Sequence, residues 1–559
     1  MIPVVPVRPE TILRVPENPA TLGLPVATWW PGQREAVGRV IEAFEQARVV
    51  FLNAPPGSGK TIIAAAAAIL LDTKSITMTH TIALQDQYRR TAGWAVIGKG
   101  KNNYPCGHPE RPRAQGVIQT LRHAGRGSHP LNTEECDEYL ECRDSGPEGC
   151  AYFAALGAAA DADHVIFNYA FAARITAPAT LRRGVYGEAR TNPFRGDVRP
   201  LAILDEGHLA NDAIVSAFTL DVWHRTVHAA AAGLEARPMP ESDDPAAWQG
   251  WARAVLGRGL AAGTSDDPVL QRRIRNLKDT LQRISQLDPA DWIVRRERNV
   301  TRVQPVWARC IYNRTPFLST YPMVLIMSAT LGDPSLLAHK LGFVDGECCF
   351  VDVPSVFPVQ NRPVFYWPVA KLSSKSDEGD YAALASAIQY IATQPRLVPL
   401  KGIIHTPSYK LVAKLREHRA AGDGLDGRML YQERPEDRER LVEVFTTVDH
   451  PWIIVTPSLA TGFDYPYMVG FQIIAKTPFA DLSDPMVRAR RDYELPGNAR
   501  FGKQCYDDDS LNQVVQACGR AVRAPDDTGV SYILDSNFWG LYKRAFSPLY
   551  FKDAMRWLE

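Results

Sequence analysis

The sequence predicts an α/β protein with two parallel-sheet lobes, on three observations. Short apolar runs alternate with helix-forming stretches along most of the chain, a glycine loop sits between one such run and a helix, and an acidic pair closes another run. Val49 to Leu52 is the first run; it breaks at Asn53-Ala54-Pro55-Pro56-Gly57 and gives way to a helix over Thr61 to Leu71. Ser75 to Thr79, His164 to Phe167, Leu201 to Leu204 and Met323 to Met327 read as further strands apolar on both faces, as buried parallel strands are. A second series, Gly402 to His405, Trp452 to Val455, Phe471 to Ala475 and Val530 to Leu534, is spaced by helical stretches such as Leu411 to Ala420 and Arg438 to Phe445. Residues 1–102, 161–211 and 313–332 are therefore expected to form the first lobe and 333–559 the second. Two segments interrupt the first lobe: 103–160, which holds a group of cysteines, and 212–312, arginine-rich and helical.

Composition bounds the function class. Hydrophobic residues at 45% and charged residues at 22% are the balance of a soluble globular chain. No apolar run approaches the roughly 20 residues of a spanning helix, and the N-terminus lacks a secretory layout, so a cytoplasmic protein with no membrane role is expected. A net charge of +1 decides nothing about nucleic acid, because gripping phosphates needs a local basic surface. One exists in principle: residues 272–314 hold eleven Lys/Arg against four acids, although a solvated helix face would look the same. Trp29, Trp30 and Tyr104 are candidates for base stacking, and equally for ordinary packing.

Ala54-Pro55-Pro56-Gly57-Ser58-Gly59-Lys60-Thr61 keeps the end of a phosphate-binding loop, with alanine for its first glycine. Gly57, Ser58 and Gly59 let backbone N–H groups turn towards phosphates at a helix N-terminus, Lys60 reaches the terminal phosphates, and the Thr61 hydroxyl can ligate Mg²⁺. Asp205-Glu206 ends an apolar run, which puts both carboxylates at the carboxyl edge of a sheet. Asp205 would hold Mg²⁺ and Glu206 would activate the attacking water. Near the other end of the chain, Gln516, Arg520 and Arg523 stand at i, i+4 and i+7, one face of a helix if the segment is helical. Two arginines from a second lobe could then neutralise charge on the transferred phosphoryl group.

Nine cysteines in a chain of this kind argue against a disulfide framework. Cys106, Cys136, Cys142 and Cys150 cluster with gaps of twenty-nine, five and seven residues. Four thiolates can hold Zn²⁺ or a [4Fe–4S] cluster, and the spacing departs from paired zinc knuckles.

Together these residues resemble the superfamily 2 helicases, specifically the XPD/DinG-like iron–sulfur group, and the resemblance runs over most of the chain. Trp30-Pro31-Gly32-Gln33 is similar to a motif in which Gln33 would read adenine. Thr79-His80-Thr81 with Leu84, Gln85 and Gln87, then Asn168-Tyr169, resemble the motifs that follow. Ser328-Ala329-Thr330 looks like the motif coupling hydrolysis to strand movement, and Thr461-Gly462-Phe463-Asp464 and Thr477-Pro478-Phe479 resemble those of the second lobe, where Gly462 and Asp464 would join the nucleotide site. The resemblance implies two RecA-like motor domains carrying a four-cysteine insert and a helical arch-like insert in the first. It also implies ATP and Mg²⁺ as cofactors, a [4Fe–4S] cluster on the four cysteines, and 5′→3′ movement on single-stranded DNA with unwinding of forked duplexes; a monomer is expected. An ATP-driven remodeller of nucleoprotein complexes that separates no strands, or an RNA helicase, would use many of the same residues. Gly207 departs from the pattern, which has alanine there, a change expected to be tolerated. The arginine-rich insert is small for an arch, and no segment resembles the exonuclease domain of some relatives.

Overall fold

The computed structural model describes residues 2–5, 9–91, 93, 95–100, 103–104, 151–176, 199–230, 238–257, 268–311, 317–373, 375–420, 422–459, 466–524 and 526–558. The chain lays down β1 (Val49–Asn53), β2 (Ser75–Thr79), β3 (Val96–Ile97), β4 (His164–Asn168) and β5 (Leu201–Asp205). It leaves for β6 (Leu220–Trp223), β7 (Trp292–Arg296) and β8 (Val300–Pro305), and returns with β9 (Met323–Ser328) and β10 (Cys348–Asp352). Seven of these form one parallel sheet in the order β10-β1-β9-β5-β2-β4-β3. β1, β2 and β5 are buried along their whole length; β1 and β5 are apolar up to a polar last residue, while β2 buries the small hydroxyls Ser75, Thr77 and Thr79. One face of the sheet packs on Ile62 to Ala68 of the helix Lys60–Leu70, whose alanines permit a close approach.

A second parallel sheet follows, from β11 (Val364–Ala370), β12 (Gly402–His405), β13 (Met429–Tyr431), β14 (Ile453–Thr456), β15 (Phe471–Ile474), β16 (Val530–Asp535) and β17 (Met555–Trp557). Their order is β13-β14-β12-β15-β16-β11-β17. Separate apolar clusters line its two faces, one centred on Leu384, Ile404 and Leu534, the other on Leu511, Ile533 and Phe538.

Three expectations about organisation need correction. The first lobe does not end at residue 332: β10 pairs with β1 from Val49↔Cys348 to Asn53↔Asp352, so the chain crosses over only afterwards. Helix Ala151–Asp161, expected in the cysteine-bearing segment, packs into the first core through Tyr152, Leu156 and Ala159. The segment 212–312 is not purely helical, since β6, β8 and β7 form an antiparallel sheet against helices Pro245–Gly257 and Pro268–Gln286. Its base also reaches the second lobe: Trp307 packs with Phe501 and Cys505, Arg490 Nε donates to the Val306 carbonyl at 2.9 Å, and Arg295 pairs with Asp484. Arg296 and Arg302 of the basic stretch are engaged by Asp243 and Glu297. Among the described residues no helix is long and apolar enough to cross a membrane.

Candidate nucleotide site

The phosphate loop leaves β1 at its carboxyl end and is tied back to the sheet, because Ala54 N donates to the Ser328 carbonyl at 2.9 Å. Gly57 (φ +78°) and Gly59 (φ +70°) are left-handed, a conformation side chains oppose. Space forbids a side chain there as well. A Cβ on Gly59 would stand 2.0 Å from Gln33 Nε2, and one on Gly57 2.3 Å from Phe357 Cζ, in the segment joining the lobes. Lys60 and Thr61 then open the helix whose first amides have no partner within it.

Gln33 does more than the resemblance implies. Its Nε2 donates to the Ser58 carbonyl at 2.9 Å, its Oε1 accepts from Trp30 N at 2.8 Å, and it is 4% exposed. The amide holds the loop in shape, leaving one N–H and one lone pair for a base. Trp29 and Tyr104 are likewise engaged by the chain itself: Trp29 Nε1 donates to the Pro16 carbonyl, and Tyr104 accepts from Lys99 N and packs edge-on against Tyr152. Trp30 is half exposed.

β5 ends at Asp205, and Glu206 follows with φ +49°, a strained geometry for a residue with a Cβ. The carboxylates respond oppositely to their surroundings. Burial, then the neighbouring Glu206 charge, raises the Asp205 pKa against the pull of Lys60. Burial also pushes Glu206 upward, but the charges of Lys60 and Arg520 and the Ser328 hydroxyl outweigh it and hold Glu206 below the usual carboxylate range. The Tyr169 hydroxyl, buried, donates to the Asp205 carbonyl at 2.9 Å.

A hydrogen-bonded chain joins the lobes at this point. Gln516 Nε2 donates to Thr330 Oγ1 at 2.9 Å and to His208 Nε2 at 2.8 Å. Burial lowers the His208 pKa, so the ring is neutral and, accepting at Nε2, carries its proton on Nδ1. Nδ1 lies 2.7 Å from Ser328 Oγ, which in turn donates to Glu206 Oε2 at 3.4 Å. Ser328 and Thr330, at the end of β9, thus stand between the acidic pair and the second lobe.

Gln516 reaches the acidic pair through His208 and Ser328, and Arg520 through its charge on Glu206, but not from one helix face. Helix Phe501–Cys518 stops at Cys518, and the chain turns through Gly519 and Arg520, so the i, i+4, i+7 stripe does not exist. Arg520 comes off that turn near both Glu206 and His405, since its charge lowers the pKa of each. Arg523 is half-buried, with its backbone N–H bound to Asp527 Oδ2 at 2.9 Å.

Gly207 is accommodated where the resembled pattern has alanine. A Cβ there would stand 2.4 Å from Ile326 Cγ2, so with Ile326 at the centre of the sheet the position excludes alanine as built. Gly462, Asp464, Cys106, Cys136, Cys142 and Cys150 lie outside the described residues. Among the described residues no group of three or more His, Cys, Asp or Glu is arranged to hold a metal ion. Phe357 and Tyr169 were not singled out as site residues from the sequence. The signal for Tyr169 was the Asn168-Tyr169 motif, directly after β4 at the carboxyl edge.

Comparison with known proteins agrees with this architecture. A family model described as "Type III restriction enzyme, res subunit" matches residues 27–226, and one described as "Helicase C-terminal domain" matches 392–549. Among solved structures, "Structure of S. tokodaii Xpd4" is 16% identical with a TM-score of 0.53, covering 94% of this chain and 99% of that one. "XPD_Helicase" is 15% identical with a TM-score of 0.57, over 95% and 100% of the two chains. "XPD_APO" is 14% identical with a TM-score of 0.52, over 93% and 99%. At such identities the likeness is one of fold. No curated protein matches. With a helicase C-terminal domain matched in the second lobe, a type III restriction enzyme domain matched in the first, and its sheets arranged as in the XPD structures, the chain is built from helicase-family domains, which imply ATP-driven work on nucleic acid, and has the XPD-like fold.

Proposed function

We propose that this protein is a DNA helicase that moves 5′→3′ along single-stranded DNA and opens forked duplexes. The observation that carries the reading is the meeting of two lobes at one carboxylate: Lys60 from the first and Arg520 from the second both act on Glu206. In this reading Gly57, Ser58, Gly59 and Lys60 grip the phosphates, and Thr61 and Asp205 ligate Mg²⁺. Glu206 aligns the attacking water, while Arg520 and Arg523 offset charge on the transferred phosphoryl group. Gln516 reports closure of the cleft through His208 and Ser328, Gln33 contacts adenine while bracing the loop, and Gly462 and Asp464 complete the nucleotide site. Cys106, Cys136, Cys142 and Cys150, lying between the phosphate loop and the acidic pair in sequence, hold a [4Fe–4S] cluster. Nothing in ATP hydrolysis calls for its electrons, so its role is to fix a small domain that guides DNA.

Strand displacement on duplexes with a 5′ or a 3′ tail, in DNA and in RNA, tests the proposal, with Lys60→Ala as the inactive control. Opening of 5′-tailed DNA by the wild type alone is expected. ATP hydrolysis without displacement of any duplex would favour a nucleoprotein remodeller, and preference for RNA would overturn the DNA assignment.

A further inference from the structure

Beside the acidic pair lies a phenol that the ATP chemistry described above does not use. Tyr88 belongs to helix Ile82–Thr91 and is 6% exposed. Gln85, three residues earlier and so on the same helix face, is fully buried. Its Nε2 donates to the Gly98 carbonyl at 3.2 Å, which locks the helix to the sheet and fixes where the Tyr88 ring points. The ring ends against the Thr61 hydroxyl and the Asp205 carboxylate. The Tyr88 hydroxyl is buried there without closing a hydrogen bond of ordinary geometry. A phenylalanine would fill the same space, so the hydroxyl is there for the polar groups it faces, and with neither bond closed in good geometry a water between them would complete its bonding.

The two groups it faces are those read above as the Mg²⁺ ligands. Mg²⁺ sheds its waters reluctantly and keeps several when held by one or two protein oxygens, so such an ion presents waters to the wall of its site. A phenol suits that wall, because its lone pair accepts from a metal-bound water while its O–H donates to a carboxylate. We propose that Tyr88 is a positioning residue for the hydrated Mg²⁺, aligning the Asp205 carboxylate and holding one of the ion's waters. The inference rests on the assignment of Thr61 and Asp205 as the Mg²⁺ ligands.

The test uses Tyr88→Phe in the full chain, which removes one oxygen and keeps the ring. Binding of a fluorescent ADP analogue is titrated with Mg²⁺, and again in EDTA. The Mg²⁺ concentration for half-maximal binding should rise about tenfold in the variant, as when a group orienting a metal ligand is lost. Affinity in EDTA and the melting temperature should stay at wild-type values. An unchanged Mg²⁺ requirement in Tyr88→Phe would overturn the inference. So would a requirement altered in Tyr88→Leu, which also removes the ring, but normal in Tyr88→Phe, because the ring would then matter only as filling. A wild type that binds the analogue without regard to Mg²⁺ would instead sink the metal-site assignment, and the Tyr88 role with it.

Discussion

Gly207→Ala is a small change that the structure makes expensive. Carbon atoms in contact rest about 3.5–4.0 Å apart, whereas the added Cβ would stand 2.4 Å from Ile326 Cγ2, with Leu331 Cδ2 and Met327 N at 3.5 Å. Ile326 cannot swing aside, because it is fully buried in a central strand and is branched at Cβ. More than an ångström of displacement must come from β9 or from the turn at Glu206. Overpacking of this kind costs about 1–3 kcal/mol, a fall in melting temperature of about 2–12 °C for a lobe of 150–250 residues. The assay is a mutant cycle in thermal melting with Gly207→Ala, Ile326→Ala and the double variant. Ile326→Ala alone leaves a cavity and should cost about 2–5 kcal/mol, but adding Gly207→Ala to it should cost nothing more, since the γ-methyl is gone. A stable Gly207→Ala protein, or costs that simply add, would refute the argument that Ile326 is the partner that makes glycine necessary.

Three further outcomes are expected. Glu206→Gln should bind ATP normally and turn it over about 10²–10⁴-fold more slowly, which a single-turnover assay separates from binding; normal turnover would remove Glu206 as the water-positioning group. Burial, against the pull of Lys340, pushes Asp508 up from 3.8 to about 8 at the seam where it accepts from Asp333 N. The folded protein then holds a proton the unfolded chain releases, so stability falls as pH rises from about 4 to about 8; Asp508→Asn, which keeps the neutral form, should melt with a flatter dependence on pH, and an unchanged slope would be inconsistent with the shift. Cys142→Ser should lose bound iron and sulfide by chemical analysis and weaken strand separation more than ATP hydrolysis. A wild type that carries neither when purified without oxygen would end the cluster proposal.

The strands of both sheets were legible because a parallel strand buried on two faces is largely apolar, as Val49 to Leu52 and Met323 to Met327 are, even where β2 buries Ser75, Thr77 and Thr79 and β12 buries His405. β10 was not, because its pairing with β1 joins residues some three hundred positions apart, and nothing local in Cys348-Cys349-Phe350 says which sheet it enters. The antiparallel β7 and β8 were hidden because Trp292-Ile293-Val294-Arg295-Arg296 and Val300-Thr301-Arg302-Val303-Gln304-Pro305 lack a two-residue alternation, and β6 is only four residues long. At the nucleotide site the residue types and their order were readable, as chemistry dictates them. Spacing misled at Arg520, since i, i+4, i+7 implies a common face only while the helix lasts, and it ends at Cys518. What stayed hidden were contacts between distant segments: Gln33 on Ser58, Gln516 on His208, Ile326 against Gly207.

The central claim is that ATP is hydrolysed at a seam completed by the second lobe, and Arg520→Ala tests it most directly. Nucleotide affinity and DNA-stimulated turnover should be measured on the same preparation. The account predicts near-normal affinity with turnover lowered about 10³-fold or more, the scale on which a charge-neutralising arginine acts. Wild-type turnover in Arg520→Ala would contradict it.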